Sequence, residues 1–441
     1  FQGSEIYGGL EATYDFGPLG VELKRNIKEH WWKYFVTARE DMVGMDSAIF
    51  MNPETWKATG HLTTFNDPQI DCKKCKSRYR ADQLIEDKLN KVAEGLPLDE
   101  MTKIIKESKI KCEKCGADDW TDTKTFNLMF KTEMGATQGG TVDIYLRPET
   151  AQGIFVNFSN ILDSTRVKIP FGIAQIGKAF RNEVVARNFI FRTREFEQME
   201  IEYFCKPDTD EEYFKEWNDY VLNWFYSLGL KKDNIKIKMK RPPECAFYSK
   251  VTADFEYNFP WGWDEILGVA SRTDYDLNAH IKQSGKSLEY KEQQSKEQFI
   301  PYVIEPSFGV ERMMLVFLLD AFEAEEEIEG TKRSVLKLHK DIAPIKIAVF
   351  PLKKNDDAFV NKARSIFNDL KFEHHTIFDN TGNIGKNYRR QDEIGTPYCI
   401  TVDHDTIKSD NKVTVRDRDT MQQERVLVDN LKGYFRDKFS N

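Results

Sequence analysis

Two pairs of cysteines, each of the form Cys-x-x-Cys, constrain the fold of this chain more than any other feature of its sequence. The first pair is Cys72 and Cys75, and the second is Cys112 and Cys115. Each such turn points two thiolates at one ion, and two turns together form a closed tetrahedral site. We therefore predict a structural Zn²⁺ that holds together an inserted lobe, residues 71–119, rather than two unrelated pairs of buried thiols.

The other cysteines and the charge balance limit the class of protein. Cys205, Cys245 and Cys399 stand alone, so the seven cysteines indicate a reducing compartment and not a secreted disulfide framework. The net charge of −8 argues against a protein that coats nucleic acid by bulk charge, but a local basic face needs only a patch. No apolar run approaches bilayer length, so we expect a soluble, cytoplasmic protein without a membrane partner. Because the chain begins with Phe1 and not Met, we expect a short N-terminal piece to precede it.

Apolar spacing predicts more than one domain, since 441 residues exceed one ordinary core. A helix is predicted from Pro18 to about Ala38, followed by a strand, MDSAIFMNP, that ends at Pro53. Further predictions, in chain order, are strand-like sequence from Thr125 to Phe204, a helix near Glu211 to Leu228, strands from Val251 to Val269 and at IPYVIEPSF, and a helix MMLVFLLDAF. The acidic stretch EAEEEIEG that follows is expected to be a solvated helix end or turn.

After Pro344 the pattern changes to β, α, β, α, β, β, α. The strands are IKIAVFPL, HHTIFD, YCITVD and VTVRDRD, and about 100 residues of this kind form a domain by themselves.

The segments GKAFRNE and FRTREFEQMEIEYF read as an antiparallel hairpin with charged residues at near-alternating positions: Arg181, Glu183, Arg192, Arg194, Glu195, Glu197, Glu200 and Glu202. This alternation places one subset of these side chains on a single face of the hairpin. An arginine on that face can bind two phosphate oxygens through its guanidinium group. The alternative is a solvated, salt-bridged sheet surface. The same pattern of charges among aromatic residues recurs in RPETAQGIF, GWDEILGVASRTD and EPSFGVERMML, which favours a polyanion and a cation bound together on one sheet.

These segments resemble the motifs of class II aminoacyl-tRNA synthetases. The helix and strand before Pro53 are similar to motif 1, FRNE with FRTREF to motif 2, and GVER at the start of an apolar helix to motif 3. The phrases RPETAQG, EFEQMEIE, SRTDYDL and EPSFG resemble the glycyl-tRNA synthetases of the homodimeric type. The resemblance implies an α+β fold: an antiparallel sheet flanked by helices in residues 1–340, with the zinc-ribbon lobe and a helical insertion at 206–250, and an α/β anticodon-binding domain in residues 341–441.

The resemblance also implies residue roles. Arg181 contacts the ATP α-phosphate, Arg312 the γ-phosphate, and Arg272 is a further phosphate ligand; Glu265 is a candidate for Mg²⁺, and Phe196 stacks on adenine. The full nucleotide set is Arg181, Asn182, Glu183, Phe191, Arg192, Thr193, Arg194, Glu195, Phe196, Glu265, Ile266, Gly309, Val310, Glu311 and Arg312. The glycine set is Arg80, Glu149, Phe196, Glu197, Gln198, Met199, Glu200, Glu305, Pro306, Ser307, Phe308 and Gly309.

The expected reaction joins glycine to the 3′ end of its tRNA through a glycyl-adenylate, with ATP, Mg²⁺, a structural Zn²⁺ and a second copy of the chain as partners. The sequence departs from the family at Asp264 and at Phe247, where the family has a glycine and a histidine. One rival is a non-catalytic relative such as a polymerase accessory subunit, which should lose the catalytic arginines. The other is a class II synthetase for proline, threonine or histidine, against which the carboxylate-rich phrases favour glycine.

Overall fold

The computed structural model describes residues 1–93, 95–135, 140–185, 188–242, 244–246, 248–328 and 330–440. Phe247, one of the two departures noted in the sequence, lies outside the described residues. Within the described part, no helix is long and apolar enough to cross a bilayer.

The strands, in chain order, are β1 Met42–Gly44, β2 Asn66–Asp71, β3 Arg78–Arg80, β4 Lys124–Asn127, β5 Lys131–Met134, β6 Val142–Tyr145, β7 Phe171–Phe180, β8 Glu195–Cys205, β9 Ile235–Lys240, β10 Val251–Phe259, β11 Gly262–Thr273, β12 Tyr290–Lys291, β13 Gln298–Phe299, β14 Tyr302–Gly309, β15 Phe322–Ile328, β16 Thr331–Leu336, β17 Ile347–Pro351, β18 Thr376–Phe378, β19 Tyr398–Val402, β20 Lys412–Asp417 and β21 Gln423–Leu427. The α-helices are α1 Pro18–Trp32, α2 Pro53–Ala58, α3 His61–Thr64, α4 Ala81–Leu89, α5 Leu98–Glu107, α6 Ala151–Val156, α7 Phe158–Ser164, α8 Asp210–Ser227, α9 Tyr275–Ser284, α10 Val310–Ala321, α11 Asp357–Leu370, α12 Ile384–Ile394, α13 His404–Lys408 and α14 Leu431–Ser440.

A seven-stranded sheet of order β1-β7-β8-β14-β11-β10-β9 forms the centre of the molecule. Only β1 runs parallel to its neighbour, and the remaining pairs are antiparallel, as predicted. The hairpin predicted from its charge alternation is the β7–β8 pair.

The two faces of this sheet differ in chemistry because side chains alternate along each strand. One face packs against α1, α8 and α10 through a large aromatic core that includes Trp31, Phe35, Trp224 and Phe308. Along β8 the residues between the core positions point the other way, and they are polar. The helices therefore bury one face and leave the opposite face of the central strands for a site.

The inserted lobe has a core of its own. Strands β2, β3 and β4 form a three-stranded sheet; α4 packs against this sheet, and α5 packs against α4. Ile70, Ile85, Ile105 and Trp120 are buried there, and the Trp120 indole donates to the carbonyl of Ile110 at 2.8 Å.

The C-terminal residues form a five-stranded sheet of order β18-β17-β19-β20-β21, covered by α11, α12 and α14. The predicted alternation of strands and helices is present. The sequence pattern missed β21, because three of its five residues, Gln423, Glu424 and Arg425, are polar and exposed, which leaves a short apolar signal.

Several predicted elements differ from the structure. The predicted strand over residues 45–53 is absent: β1 lies earlier, and Pro53 begins α2. The side chain of Asn52 caps the helix, since it accepts a hydrogen bond from the backbone N–H of Glu54 at 3.0 Å. Pro53 suits the first helical position because a backbone N–H there has no partner within the helix, so Asn52 and Pro53 together start α2.

The acidic stretch after α10 is strand β15 and not a helix end. It pairs with the basic strand β16, where Arg333 donates to the Glu326 carboxylate at 2.7 Å. Opposite charges across an antiparallel pair stabilise the strands that carry them.

Residues 206–250 and 125–204 also differ from their predictions. Helix α8 lies where expected, but β9 is an edge strand of the central sheet. Residues 206–250 are therefore part of the central sheet and its helical layer, and not a separate helical insertion. Helices α6 and α7 interrupt the second segment, which was expected to be strand-like throughout.

Candidate active site

A cavity of about 1110 Å³ lies on the polar face of the central sheet. Strands β8, β10, β11 and β14 provide its floor, and the start of α10 closes one end. Of the predicted nucleotide and glycine residues, the structure brings these together around the cavity: Glu149, Arg181, Glu183, Phe191, Arg192, Thr193, Phe196, Gln198, Glu200, Glu265, Ile266, Glu305, Ser307, Phe308, Gly309, Glu311 and Arg312.

Arg181 lies at the end of β7 and is held by aromatic rings. Its guanidinium lies 5.3 Å from the ring centroid of Phe196 and 5.5 Å from that of Phe65, and Nε donates to the carbonyl of Pro148 at 3.0 Å. A guanidinium between rings is oriented without being neutralised. Among the residues that the structure describes, Nε is the side-chain donor of Arg181 that has a partner, so the others can meet an anion.

Arg312 follows β14 at the start of α10. Its Nε donates to the carbonyl of Phe191 at 3.2 Å and its Nη1 to the carbonyl of Glu265 at 3.0 Å. Burial lowers the pKa of this guanidinium; the Glu265 carboxylate offsets part of that effect, whereas Arg192 and Arg181 add to it. Three arginines thus converge on one end of the cavity, which is the arrangement that polyphosphate binding needs.

Buried carboxyl groups form the middle of the cavity. Glu200 on β8 accepts hydrogen bonds from the Ser307 hydroxyl at 2.8 Å and from the Thr150 hydroxyl. Burial, and then the charge of Glu149, raise the pKa of Glu200. Burial raises the pKa of Glu305 on β14 to about 8, against the opposing effect of Arg272. Such a cluster favours the binding of a further cation beside Arg272, since like charges at close range destabilise one another.

Glu149 is the carboxyl group of this cluster whose pKa is lowered. Burial raises its pKa, but His61, Arg272 and Gln152 outweigh that effect and hold the pKa well below its usual range. His61 Nε2 lies 3.5 Å from Oε2 of Glu149, and Gln152 Nε2 donates to Oε1 at 2.9 Å. Sequence reasoning missed His61, because no motif or spacing in the sequence links it to Glu149.

Arg272 does not match its predicted role as a phosphate ligand. It is 2% exposed, and its guanidinium forks onto Asp276 with distances of 2.7 and 2.8 Å and onto Glu305 with 2.9 and 3.0 Å. Its donors are therefore engaged beneath the cavity. The arrangement fits a residue that positions Glu305.

Glu202 belongs to the carboxyl cluster. Like His61, it was not assigned to the site from the sequence. It is fully buried two residues beyond Glu200, and neither of its carboxyl oxygens has a hydrogen-bond partner among the described residues. Oxygens of Glu200, Glu202 and Glu305 lie within 4.8 Å of one another. Burial, followed by the charge of Glu305, raises the pKa of Glu202 well above its usual value.

Several predicted site residues lie outside the cavity lining. Arg80 of the inserted lobe is held by Asp67 at 3.2 Å and Asp82 at 2.6 Å, and Glu197 faces α1, where it binds Lys24 at 2.7 Å. The others outside the lining are Asn182, Arg194, Glu195, Met199, Pro306 and Val310. Alternation explains Glu195, Glu197 and Met199, since the cavity takes Phe196, Gln198 and Glu200 from the same strand.

The departure at position 264 has a local explanation. The Asp264 carboxylate accepts hydrogen bonds from the Trp261 indole at 3.2 Å and from the backbone N–H of Glu265 at 3.0 Å. The side chain is thus engaged in the turn between β10 and β11 and does not line the cavity.

The four paired cysteines converge in the inserted lobe, as predicted. Their sulfurs lie within 4.8 Å of one another, with 3.6 Å between Cys72 and Cys115 and 3.6 Å between Cys75 and Cys112. Four thiolates bound to one zinc at 2.3 Å stand about 3.8 Å apart in a tetrahedron. The donor set and its spacing are compatible with zinc.

Three family models match the chain. The model described as "tRNA synthetase class II core domain (G, H, P, S and T)" matches residues 130–320, "Glycyl-tRNA synthetase insertion domain 1" matches residues 67–99, and "Anticodon binding domain" matches residues 346–438. They cover the central sheet except β1, the first part of the inserted lobe, and the C-terminal sheet respectively.

Solved structures show the same fold at low sequence identity. A threonyl-tRNA synthetase RNA-binding domain structure from Cryptosporidium parvum Iowa II superposes with a TM-score of 0.65 at 17% identity, covering 97% of this chain and 93% of the other. A prolyl-tRNA synthetase from Cryptosporidium parvum, complexed with L-proline and AMP, gives 0.58 at 14% identity, covering 98% and 71%.

Full-length relatives are far closer in sequence. The glycine–tRNA ligase of Caldanaerobacter subterraneus subsp. tengcongensis is 53% identical over 99% of this chain and 95% of its own length. The glycine–tRNA ligase of Geobacillus kaustophilus is 52% identical over 100% and 96%, and that of Clostridium acetobutylicum 53% over 99% and 95%. Identity of this extent over whole chains, with the class II core and the insertion domain in place, shows that the chain belongs to the glycine–tRNA ligase family of class II aminoacyl-tRNA synthetases.

Proposed function

We propose that this chain joins glycine to the 3′ end of its tRNA through a glycyl-adenylate, consuming ATP and releasing AMP and pyrophosphate. One observation carries the proposal: a single cavity contains converging arginines beside a buried pocket of carboxyl groups. The arginines suit a nucleotide triphosphate, and the carboxyl groups suit a small ammonium compound. The first step joins these two ligands.

In that step a glycine carboxylate oxygen attacks the α-phosphorus of ATP. The bond from that phosphorus to the bridging oxygen breaks, and pyrophosphate leaves with the electron pair. Negative charge grows on phosphoryl oxygens, so fixed cations and exact placement lower the barrier without a nucleophilic side chain. We assign Arg181 to the α-phosphate, Arg312 to the γ-phosphate and Phe196 to adenine stacking. ATP enters with Mg²⁺, for which Glu265 is the candidate ligand.

We assign the glycine ammonium to Glu149, Glu200 and Glu305, with Ser307 at the edge of the pocket. Their burial makes each contact a charge-assisted one in a poorly hydrated site. Arg272 becomes a positioning residue in this assignment, because it holds Glu305 and not a phosphate.

The four cysteines are assigned to a structural Zn²⁺ ion. A shell filled by four thiolates leaves no open coordination position, so the metal stabilises the inserted lobe and takes no part in chemistry. We divide the chain into a catalytic domain, residues 1–340, and an anticodon-binding domain, residues 341–441. Lys386, Arg389 and Arg390, which line a second, shallow cavity on α12, are the candidate tRNA contacts.

We further propose a homodimer and a cytoplasmic location. Large apolar side chains are exposed along the N-terminal segment that precedes and includes α1: Ile6, Tyr7, Leu10, Leu19 and Val21. An uncovered apolar surface of this kind favours a protein partner, here a second copy of the chain. Light scattering at micromolar concentration should give the mass of a dimer, and an active monomer would contradict the assignment. None of the seven cysteines, all of which the structure describes, forms a disulfide, which fits a reducing compartment.

The test of the function is ATP–pyrophosphate exchange measured with each amino acid in turn. Glycine should support exchange, whereas alanine, serine, proline, threonine and histidine should not. Exchange with a different amino acid would remove the glycine assignment and leave the class II chemistry. No exchange with any amino acid would favour a non-catalytic relative.

A further inference from the structure

We propose that His280 and Gln152 are positioning residues for glycine, because together they fix the direction of the Glu149 carboxylate. The inference rests on the proposed function, in which Glu149 binds the glycine ammonium. His280 and Gln152 are both buried, and neither belongs to the lining of the cavity. They therefore act through the carboxyl groups of the pocket and not through contact with the substrate.

The side-chain amide of Gln152 has a partner for each of its polar groups. Gln152 lies on α6, and its Nε2 donates to Oε1 of Glu149 at 2.9 Å and to Oδ1 of Asp276 at 2.9 Å. Its carbonyl oxygen, Oε1, lies 2.8 Å from Nε2 of His280. An amide nitrogen carries two hydrogens, so each carboxylate receives one of them.

These partners determine which way the amide of Gln152 points. An ionised carboxylate only accepts hydrogen bonds, so a rotated amide would turn its carbonyl oxygen toward two further acceptors, Glu149 and Asp276. The carbonyl therefore faces His280, and Nε2 of that imidazole carries the hydrogen of the bond between them. A single N–H donor on His280 thus holds both amide hydrogens in the direction of the carboxylates.

Helix packing brings the donor to the amide. Asp276 and His280 are four residues apart on α9, a spacing that places their side chains on one face of the helix, and α9 packs against α6. His280 is 5% exposed and Asp276 is 2% exposed, so water has little access to replace either partner. An acceptor left without its donor in such a place is destabilised.

The same hydrogen bonds connect two of the carboxyl groups that we assign to the ammonium. Asp276 accepts two hydrogen bonds from Arg272, at 2.7 and 2.8 Å, and Arg272 donates to Glu305 at 2.9 and 3.0 Å. Gln152 joins Glu149 to this chain of contacts through Asp276. Release of Gln152 therefore loosens the placement of Glu149 relative to Glu305, on which tight binding of one compact cation depends.

The experiment compares three substitutions of His280 that differ in the donor they keep. His280→Gln places an amide N–H at about the reach of the imidazole Nε2, His280→Asn carries the same group on a shorter side chain, and His280→Leu has no donor. In ATP–pyrophosphate exchange, the KM for glycine should rise about tenfold in the Asn and Leu variants and stay within about threefold of wild type in the Gln variant. The KM for ATP should stay within about twofold of wild type in all three variants. Asn278→Leu, at an exposed position of α9, is the control and should change neither constant.

A double variant tests whether His280 acts through Gln152. Gln152→Met removes the amide and nearly keeps its volume, and it should raise the KM for glycine at least as much as His280→Leu. Adding His280→Leu to Gln152→Met should raise this KM no further, because the two residues then belong to one interaction. Effects that multiply in the double variant would show that His280 acts by another route and would overturn the proposal.

The Gln and Asn variants separate positioning from a general role in folding. They carry the same chemical group, so a purely structural role of His280 predicts the same glycine KM for both, and that result would overturn the proposal. An equal rise in the KM for ATP would also overturn it. If the Leu variant does not fold, as judged by its thermal unfolding, the Gln and Asn pair decides the question. Wild type that exchanges with another amino acid and not with glycine would contradict the proposed function, and the same pair measured with that amino acid would still test the role of His280.

Discussion

The carboxylate pocket contains more acidic groups than its cations can neutralise. Four glutamates, Glu149, Glu200, Glu202 and Glu305, and the aspartate Asp276 surround the guanidinium of Arg272, with His61 at the edge. Burial makes such an excess costly, and it raises the pKa values of Glu200, Glu202 and Glu305. A ligand that brings one compact positive charge relieves the imbalance, and the ammonium of an amino acid is of that kind.

Substitution separates the glycine pocket from the phosphate site. Glu149→Gln or Glu200→Gln should each remove a charge-assisted contact worth about 1.5–3 kcal/mol, which raises the glycine KM by roughly 10- to 150-fold with little change in the KM for ATP. Arg181→Ala should lower kcat, since its partner is charge that develops on the α-phosphate. Exchange kinetics measure all three. Glu195→Gln, on β8 but outside the cavity lining, is the control; equal effects on glycine and ATP in the glutamate variants would contradict the assignment.

Glycine binding should depend on pH. Because the pKa of Glu305 is raised to about 8, this carboxyl is protonated below pH 8 and is then a poor partner for an ammonium group. Glu202, with its pKa raised in the same cluster, acts in the same direction. The glycine KM should therefore fall as pH rises from 6.5 to 8, by at most about tenfold per pH unit. Initial-rate exchange at saturating ATP measures the profile; a flat profile would show that the cluster is already ionised.

The role of a site residue was predictable where a motif fixes the direction in which its side chain points. It was not predictable where the role depends on which residue the side chain binds. The alternation in FRTREFEQME predicts that Phe196 and Glu200 share one face of their strand. Only the structure shows that this face lines the cavity. The sequence around Arg272 does not distinguish an arginine that binds phosphate from one that binds a carboxylate. Its partner Glu305 is 33 residues away, and the contact exists only because β11 and β14 pair.

At the scale of elements, apolar periodicity predicted α1, α8 and α10, and the alternation of charged residues predicted the β7–β8 hairpin. The predictions fail at elements whose conformation depends on an interaction other than the burial of apolar side chains. A single cap at Asn52 turned an expected strand end into a helix start. Cross-strand pairing with basic residues made a strand of the acidic segment. Neither interaction leaves a periodic signal.

The inserted lobe depends on its metal ion. Protein purified without chelators should contain about one zinc per chain by elemental analysis. Cys112→Ser should lose the metal and make residues 71–119 susceptible to limited proteolysis, because the binding energy of a structural ion is also local folding energy. Cys245→Ser, outside the lobe, is the control and should keep both metal and resistance. A zinc-free preparation that remains protease-resistant and active would contradict the assignment.

At the scale of the whole molecule, the C-terminal sheet is joined to the rest by buried charges. Arg333 of the β15–β16 hairpin binds Asp392 of α12 at 2.9 Å and donates to the carbonyl of Arg418 at 2.6 Å. Asp392 also binds Arg416 at 2.8 Å. Removing one member of such a network leaves a buried charge unpaired, at a cost of about 3–5 kcal/mol. Deletion of residues 341–441 would thus disturb the hairpin that follows α10 as well as any tRNA contact.

Surface substitutions therefore test the division of labour between the domains more cleanly. Lys386→Ala/Arg389→Ala/Arg390→Ala removes three cations that line the cavity on α12 and leaves the Arg333 network intact. Adenylate formation, measured by exchange with glycine, should be unchanged. The KM for tRNA in charging should rise, and the salt dependence of tRNA binding should weaken, by a slope of up to about 2–3 if all three contact phosphates. Lys408→Ala, an exposed lysine of the same domain outside that cavity, is the control. Loss of exchange in the triple variant would mean that this surface supports the catalytic domain, and unaltered charging would place the anticodon contacts elsewhere on the domain.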